Sequence, residues 1–356
     1  MSKRRRGTQG LAANIIFSLI ALFALSISIV LLLMNYNMKN RLEETVRENE
    51  TLAEYAKAHT RTDAEVENAA DEAAKTADAQ ARAEILDNIR RHMQDGNTAY
   101  SLLRTLYPNE IVVPSDTGYV FFEISDELKH HEYDLDRFYQ NAATKEVTYQ
   151  DESGNTISQK GIDVSRYNGK IDWEKVKGDG VEFAFIRAGY RGSSEGKLVT
   201  DDNFTANIEG ALEAGVKVGV YFFTQAISAE EGREEAEYVL DLIRDYDVTM
   251  PVVLDVETYA NGRGEAIDAS TRTDAALAFL DTVRDAGYTP MLYANLKGYL
   301  IMLETDRIEG YDKWFAYYAS FPVYYPYDFQ IWQYSEKGEV AGIDGDCDLN
   351  VCMKRY

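Results

Sequence analysis

Residues 251–257 read PVVLDVE, and two carboxylates, Asp255 and Glu257, close an otherwise apolar run. Residues i and i+2 of a strand share a face, with Cα atoms about 6.5–7 Å apart. Two carboxyls that close do not both ionise easily, so one keeps a proton near neutrality. A retained proton is what protonation of a glycosidic oxygen needs. A D-x-E pair by itself recurs by chance in an acidic chain. Here it ends a buried apolar strand, where an idle charge is costly, and that position gives it weight. Two further acids interrupt similar runs: Asp163 in GIDVS and Asp348 in CDLNV.

Other chemistries are excluded by what the chain lacks. The four histidines are His59, His92, His130 and His131, so none lies beyond residue 160. The C-terminal part therefore cannot by itself build a Ser–His–Asp triad, a Cys–His dyad or a His-ligated zinc site. The adjacent His130 and His131 read as an exposed pair. Two cysteines, Cys347 and Cys352, are too few for a disulfide scaffold or a thiolate metal site; whether they pair stays open. No metal or organic cofactor is expected. The formal net charge of −23, with 19 Lys and Arg against 35 Asp and Glu from Gly161 onward, argues against nucleic acid as partner.

Aromatic residues gather near the ends of the same apolar runs: Tyr190, Tyr221, Tyr293, Tyr318 and Trp332, with Gln333 beside the last and Tyr334 after it. Aromatic faces stack on sugar rings and tyrosine hydroxyls bond sugar hydroxyls, although core packing claims such residues about as often. The first five and Gln333 are expected to bind substrate.

The elements that must position these residues are regular from Gly161. Strand-like runs start at Gly161, Phe183, Lys217, Pro251, Thr289, Lys313, Phe329 and Cys347, and helical patterns cover 203–214, 229–246 and 270–286. Near-continuous apolar strands alternating with helices predict a parallel sheet, and eight of them predict an irregular β/α barrel of the TIM type over 161–356. Chemistry in such barrels sits at the C-terminal strand ends.

Ahead of the barrel, residues 1–10 are a basic tail with Lys3, Arg4, Arg5 and Arg6, and 11–34 are apolar. Twenty-odd apolar residues cross the roughly 30 Å hydrocarbon core, and the basic side stays cytoplasmic. The run exceeds the ~7–15 residues of a signal peptide, so an uncleaved single-pass anchor is expected, with the catalytic domain outside. Residues 35–107 are rich in helix formers and predict a helical stalk, with stalk-mediated homodimerisation an option. Residues 108–160 read as a small connecting module: a strand at 118–124, a helix over 127–139, and a hairpin turning at 151–155.

The motifs GIDVSRYNGKIDWEKVK, FAFIRAGY, DDNFTANIEGALEAGVKVGVYFF, PVVLDVE, AGYTPMLYAN, KWFAYY and IWQYSEKGEVAGIDGDCDLN together resemble the family 25 glycoside hydrolases, lysozymes that cut the N-acetylmuramic acid β-1,4-N-acetylglucosamine link of peptidoglycan. The resemblance covers about 161–351. It implies Glu257 as catalytic acid, Asp255 as the aspartate beside it, and Asp163 and Asp348 as the other acids of the site. One departure falls at Phe222 and Phe223, where many members carry histidine; with all four acids retained, it implies a changed subsite. The mechanism implied is either attack by the muramyl acetamido group, oriented by Asp255, or water activated by a carboxylate with inversion. The alternative to an enzyme is a non-catalytic, membrane-tethered wall-binding or envelope scaffold module.

Overall fold

The computed structural model describes residues 5–58, 62–115, 117–257 and 259–356, the side chains of 5–17, 19 and 56–58 excepted. Lys3, Arg4 and His59, and the side chains of Arg5 and Arg6, lie outside the described residues. Two compact units divide the chain, Met1–Pro108 and Asn109–Tyr356.

The first unit is helical. Helix α1 runs Arg5–Ala58 without a break. Within it, Ile20–Tyr55 includes an 18-residue window of mean hydropathy 2.0 with no residue buried. By length and composition this helix can cross a membrane, as an anchor or as a signal sequence does. Helix α2, Asp63–Gln94, begins at a Thr62–Glu65 capping box, a reciprocal satisfaction of exposed N–H groups. It then runs back along α1: Asn49 Nδ2 donates to Ala70 O (3.2 Å), and Arg41 pairs with Glu84 at 3.2 Å. The expected helical stalk is thus folded back on itself as an antiparallel helical hairpin. The alanine stripe of α2 is the reason, because small side chains let two helices approach; Ala81 is 2% exposed. Gly96 adopts a left-handed φ of 75° just after α2, which only glycine does without strain, and α3 follows at Ala99–Leu106.

In the second unit, β1 (Glu110–Ser115) and β2 (Gly118–Glu123) form one antiparallel hairpin, and β3 (Phe138–Gln140) and β4 (Val147–Tyr149) another. Residues 127–139, expected to be helical, hold instead a 3-10 turn at Leu135–Arg137 and the start of β3. Their backbone groups are spent elsewhere: His131 N donates to Pro326 O (3.1 Å) and Asp328 N to Lys129 O (2.9 Å). The two histidines are half-buried rather than exposed, with His130 edge-on to Tyr327 and His131 against Tyr133 and Phe329. The 151–155 turn does form, closed by the Gln150–Thr156 bridge, but the strands around it pair elsewhere, β4 with β3.

The main sheet contains β5 (Gln159–Val164), β6 (Phe183–Arg191), β7 (Leu198–Thr200), β8 (Lys217–Phe223), β9 (Val252–Asp255), β10 (Pro290–Asn295), β11 (Asp312–Ala316), β12 (Ile331–Gly338) and β13 (Cys347–Cys352). Strand β5 pairs with both β13 and β6, which closes eight strands into a barrel, and β7 hangs on β6 as a ninth. Each of the eight strand segments read from the sequence corresponds to a barrel strand. The expectation of a wholly parallel sheet is corrected at one place: β13 is antiparallel to β12 and to β5. Only eight residues, 339–346, separate β12 from β13, fewer than the dozen or more that a parallel crossover needs.

Helices α4 (Trp173–Gly178), α5 (Phe204–Glu213), α6 (Ala229–Ile243) and α7 (Ala269–Asp285) lie between the early strands. No α-helix follows β11 or β12. There residues 109–158 cover the barrel wall: Tyr324 Oη donates to Glu110 O (2.9 Å), Tyr133 Oη to Phe329 O (2.7 Å), and Phe138 packs edge-on to Trp332. The connecting module supplies the missing outer layer.

Inside the barrel Phe183, Phe185, Val253, Met291, Trp314 and Ile331 form a separate apolar core. Gly161 and Gly219 make room for it: a Cβ at Gly161 would stand 2.1 Å from Phe183 Cζ, and one at Gly219 2.4 Å from Phe185 Cε1.

Candidate active site

Above that apolar floor the barrel interior turns polar and opens into a cleft of about 740 Å³. Alternation along each strand decides who enters it. Val252 and Leu254 of β9, and Val256 just past it, join the core under the helices, and Val253 lies in the inner core. Asp255 therefore faces inward, and Glu257, just past the strand, lines the cleft with it. Asp163 and Asp348 are register partners on β5 and β13, so their side chains share a face at close range. All four acids line one cavity.

Each of the four is pushed toward its protonated form. Burial comes first for Asp255, then the charges of Glu257 and Asp163; the Arg187 guanidinium pulls the other way. Burial also raises Glu257, a hydrogen bond with Tyr293 opposes it, and Asp348 and Glu336 add to it. Asp163 rises to about 6 through burial, restrained by the amides of Asn350 and Gln333. Asp348 rises to about 9 through burial and through Asp163, with which it shares a hydrogen bond. Arg187 opposes the rise at Asp255, and Tyr293 opposes the rise at Glu257. Asp255 Oδ1 is buried without a hydrogen-bond partner.

A directed network surrounds Asp163. Gln333 Nε2 and Asn350 Nδ2 both donate to Asp163 Oδ2 at 2.8 Å. Trp314 Nε1 donates to Asn350 Oδ1 at 2.7 Å, and Tyr293 Oη to Gln333 Oε1 at 2.7 Å. Tyr318 Oη donates to the same Gln333 oxygen.

Of the expected substrate-binding residues, Tyr190, Tyr221, Tyr293, Tyr318 and Gln333 line the cleft. Trp332 does not, and its expected role is corrected. It is 1% exposed, donates Nε1 to Tyr317 O at 2.8 Å, and packs against Phe138 and Tyr334. Gln333 points inward, so the residue before it must point out. The same alternation separates the two phenylalanines of β8: Phe222 is in the outer core, and Phe223 lines the cleft edge-on to Tyr259. Cys347 and Cys352 are both buried free thiols, so they do not pair.

Several cleft residues escaped the sequence reading. Arg187 is a cation inside FAFIRAGY, and the argument that singled out Asp255 applies to it equally. It donates Nε to Asp201 Oδ2 at 2.7 Å and lies beneath the exposed Tyr167 ring, 5.0 Å from its centroid. Asn350, two residues beyond Asp348, had the i, i+2 signal too. Trp314 and Tyr259 carried none beyond their type.

A family model described as glycosyl hydrolases family 25 matches residues 162–343. Lysozyme M1 of Streptomyces globisporus is 31% identical over 210 residues, covering 55% of this chain and 68% of that protein. YegX of Escherichia coli O6:H1, described as uncharacterized, is 29% identical over 247 residues, covering 67% of this chain and 84% of its own. The modular autolysin LytC from Streptococcus pneumoniae, solved with a synthetic peptidoglycan ligand, is 22% identical. It superposes with a TM-score of 0.50 over 68% of this chain and 56% of that one, a likeness of fold. With the family model spanning just over half the chain, from β5 to the loop before β13, the chain belongs to the family 25 glycosyl hydrolases and is a glycoside hydrolase of the lysozyme type.

Proposed function

We propose that this chain cleaves the β-1,4 bond between N-acetylmuramic acid and N-acetylglucosamine in peptidoglycan, with Glu257 as proton donor. The observation that carries the mechanism is the buried, unpartnered Oδ1 of Asp255 beside that acid. It is an acceptor waiting for a donor, and the N–H of a muramyl 2-acetamido group is one. The acetamido carbonyl oxygen attacks the anomeric carbon while the glycosidic C–O bond breaks and the departing oxygen takes the Glu257 proton. Asp255 stabilises the positive charge left on the acetamido nitrogen. A water then attacks the same carbon, giving its proton to Glu257 and reopening the acetamido ring. Two displacements at one carbon give net retention. Peptidoglycan as substrate agrees with the lysozyme named among the relatives.

The test is analysis of fragments released by the full-length protein from purified wall. Muramic-acid reducing ends, formed with retained anomeric configuration, are expected. N-acetylglucosamine reducing ends would make the protein a glucosaminidase, and inversion would remove the acetamido from the mechanism. The same reading places α1 in the membrane as an uncleaved anchor, N-terminus cytoplasmic and barrel outside, supported by its unburied apolar stretch.

A further inference from the structure

A second cavity, of about 460 Å³, opens beside the cleft, past the C-terminal ends of β9 and β10. Glu257 and Tyr259 line both spaces, so the acid of the cleft also borders this side chamber. The chamber wall combines apolar Ile267, Ile301 and Met302 with two cations, Arg272 from the start of α7 and Lys297 from just after β10.

Arg272 differs from the other buried or half-buried arginines of the barrel, each of which meets a carboxylate. Arg166 pairs with Asp202 at 3.2 Å, Arg187 with Asp201 at 2.7 Å, Arg191 with Glu235 at 2.7 Å and Arg263 with Glu231 at 2.8 Å. Arg272 is half-buried too, yet among the described residues no carboxylate pairs with it. Its Nη2 donates to Gly264 O (2.7 Å) and Ile267 O (3.3 Å), its Nε is buried without a partner, and Nη1 has no protein acceptor. Glu265 also borders the chamber, but its Oε2 receives Asn261 N at 2.7 Å, within its own loop. Burial lowers Arg272 from the ordinary guanidinium value with no acid to offset it, and the group remains a cation. In a chain of net charge −23, a half-buried cation without a counter-charge is costly unless an anion from outside meets it.

We propose that the side chamber binds a carboxylate carried on the lactyl arm of the muramyl residue, with Arg272 as the cation that receives it. N-acetylmuramic acid differs from N-acetylglucosamine by this arm, a short ether bearing a methyl and a carboxyl group. The guanidinium fork matches a carboxylate in geometry as well as charge, and the apolar wall suits the methyl. The proposal rests on muramyl glycan as substrate and Glu257 as donor, because that acid joins the reacting bond to the chamber. In a peptide-free strand the anion is the lactyl carboxylate itself; in a peptide-bearing strand the stem supplies it.

The test uses full-length protein in detergent with soluble glycan strands, peptide-bearing or stripped of peptide. Each kind is offered with its carboxyls free or converted to neutral amides. The readout is the ratio of kcat/KM for free over amidated strands. For the wild type it should be about 10–100, the contribution of one hydrogen bond to a charged group. Arg272→Gln keeps a donor without the charge, and its ratio should fall close to one, mainly through KM. Arg272→Lys keeps the charge without the fork and should lie between. A high ratio confined to stripped strands assigns the lactyl carboxylate, and one confined to peptide-bearing strands assigns the stem. A wild-type ratio near one overturns the proposal. So does a high ratio unchanged in Arg272→Gln, which would leave Arg272 as a tie for the Gly264–Ile267 backbone. If the glutamine variant fails to fold, Ile301→Glu decides: it sets a carboxylate in the chamber and should lower the ratio, and an unchanged ratio overturns the proposal. Muramic-acid reducing ends with an unmoved ratio strike the chamber alone. N-acetylglucosamine ends, or full turnover by Glu257→Gln, would instead strike the reading beneath it.

Discussion

Glu257→Gln keeps the shape of the side chain and removes the transferable proton. General acid catalysis contributes about 10²–10⁴-fold, so wall hydrolysis should fall by at least that order while binding to wall persists in a pull-down. Asp255→Asn puts an amide where the proposed mechanism needs an anion facing the substrate N–H, and it ends the repulsion between the two acids that raises Asp255. Turnover should collapse and the acidic limb of the pH profile should move. Asp348 offers a stability test. Its folded pKa is raised to about 9, above the ordinary carboxyl value near 4. The folded state thus holds a proton that the unfolded chain has lost. The cost is absent below about pH 4, grows as pH rises, and is complete above the folded value. Asp348→Asn should raise Tm at pH 8 by at least about 2–4 °C, the effect of about 1 kcal/mol in a domain of this size, and change little at pH 4. An equal gain at both pH values would sink the idea.

At the scale of elements, β12 and the outer hairpins explain what was legible. The acids were readable because each breaks an apolar run, and a charge in a buried strand needs a reason. Trp332 misled because its type suits a sugar site as well as a core, and only the facing of β12 separates them. That facing also gives residues 109–158 a structural task. Phe138, 4% exposed, packs on Trp332 and Tyr149. Phe138→Ala should destabilise the second unit by about 3–5 kcal/mol, seen in denaturant unfolding, while activity per folded molecule stays within about twofold. Unchanged stability would show that the module does not hold the barrel wall.

For the whole molecule, the exposed apolar face of α1, with Ile20, Leu22, Phe23, Leu31 and Leu32 open to the surroundings, is the surface that the proposed anchor turns toward lipid. Full-length protein should remain in the membrane pellet after high-salt washing, and external protease should remove the barrel from wall-stripped cells. A soluble product beginning near residue 35 would make the run a cleaved signal.

By itself the sequence determined the eight barrel strands, the inward acids and the long apolar N-terminal helix, because each is written locally in periodicity or in a charge set among apolar neighbours. Tertiary structure decided the rest. The antiparallel β13, the folding of the helical stalk into a hairpin, and the irregular 127–139 segment depend on which surface a segment meets. The order of donors from Tyr293 through Gln333 to Asp163 depends on three strands, β10, β12 and β5, whose side chains meet inside the barrel although β11 and β13 lie between them in the sheet. No local pattern carries that information, because a hydrogen bond's direction is set by partners distant in the chain.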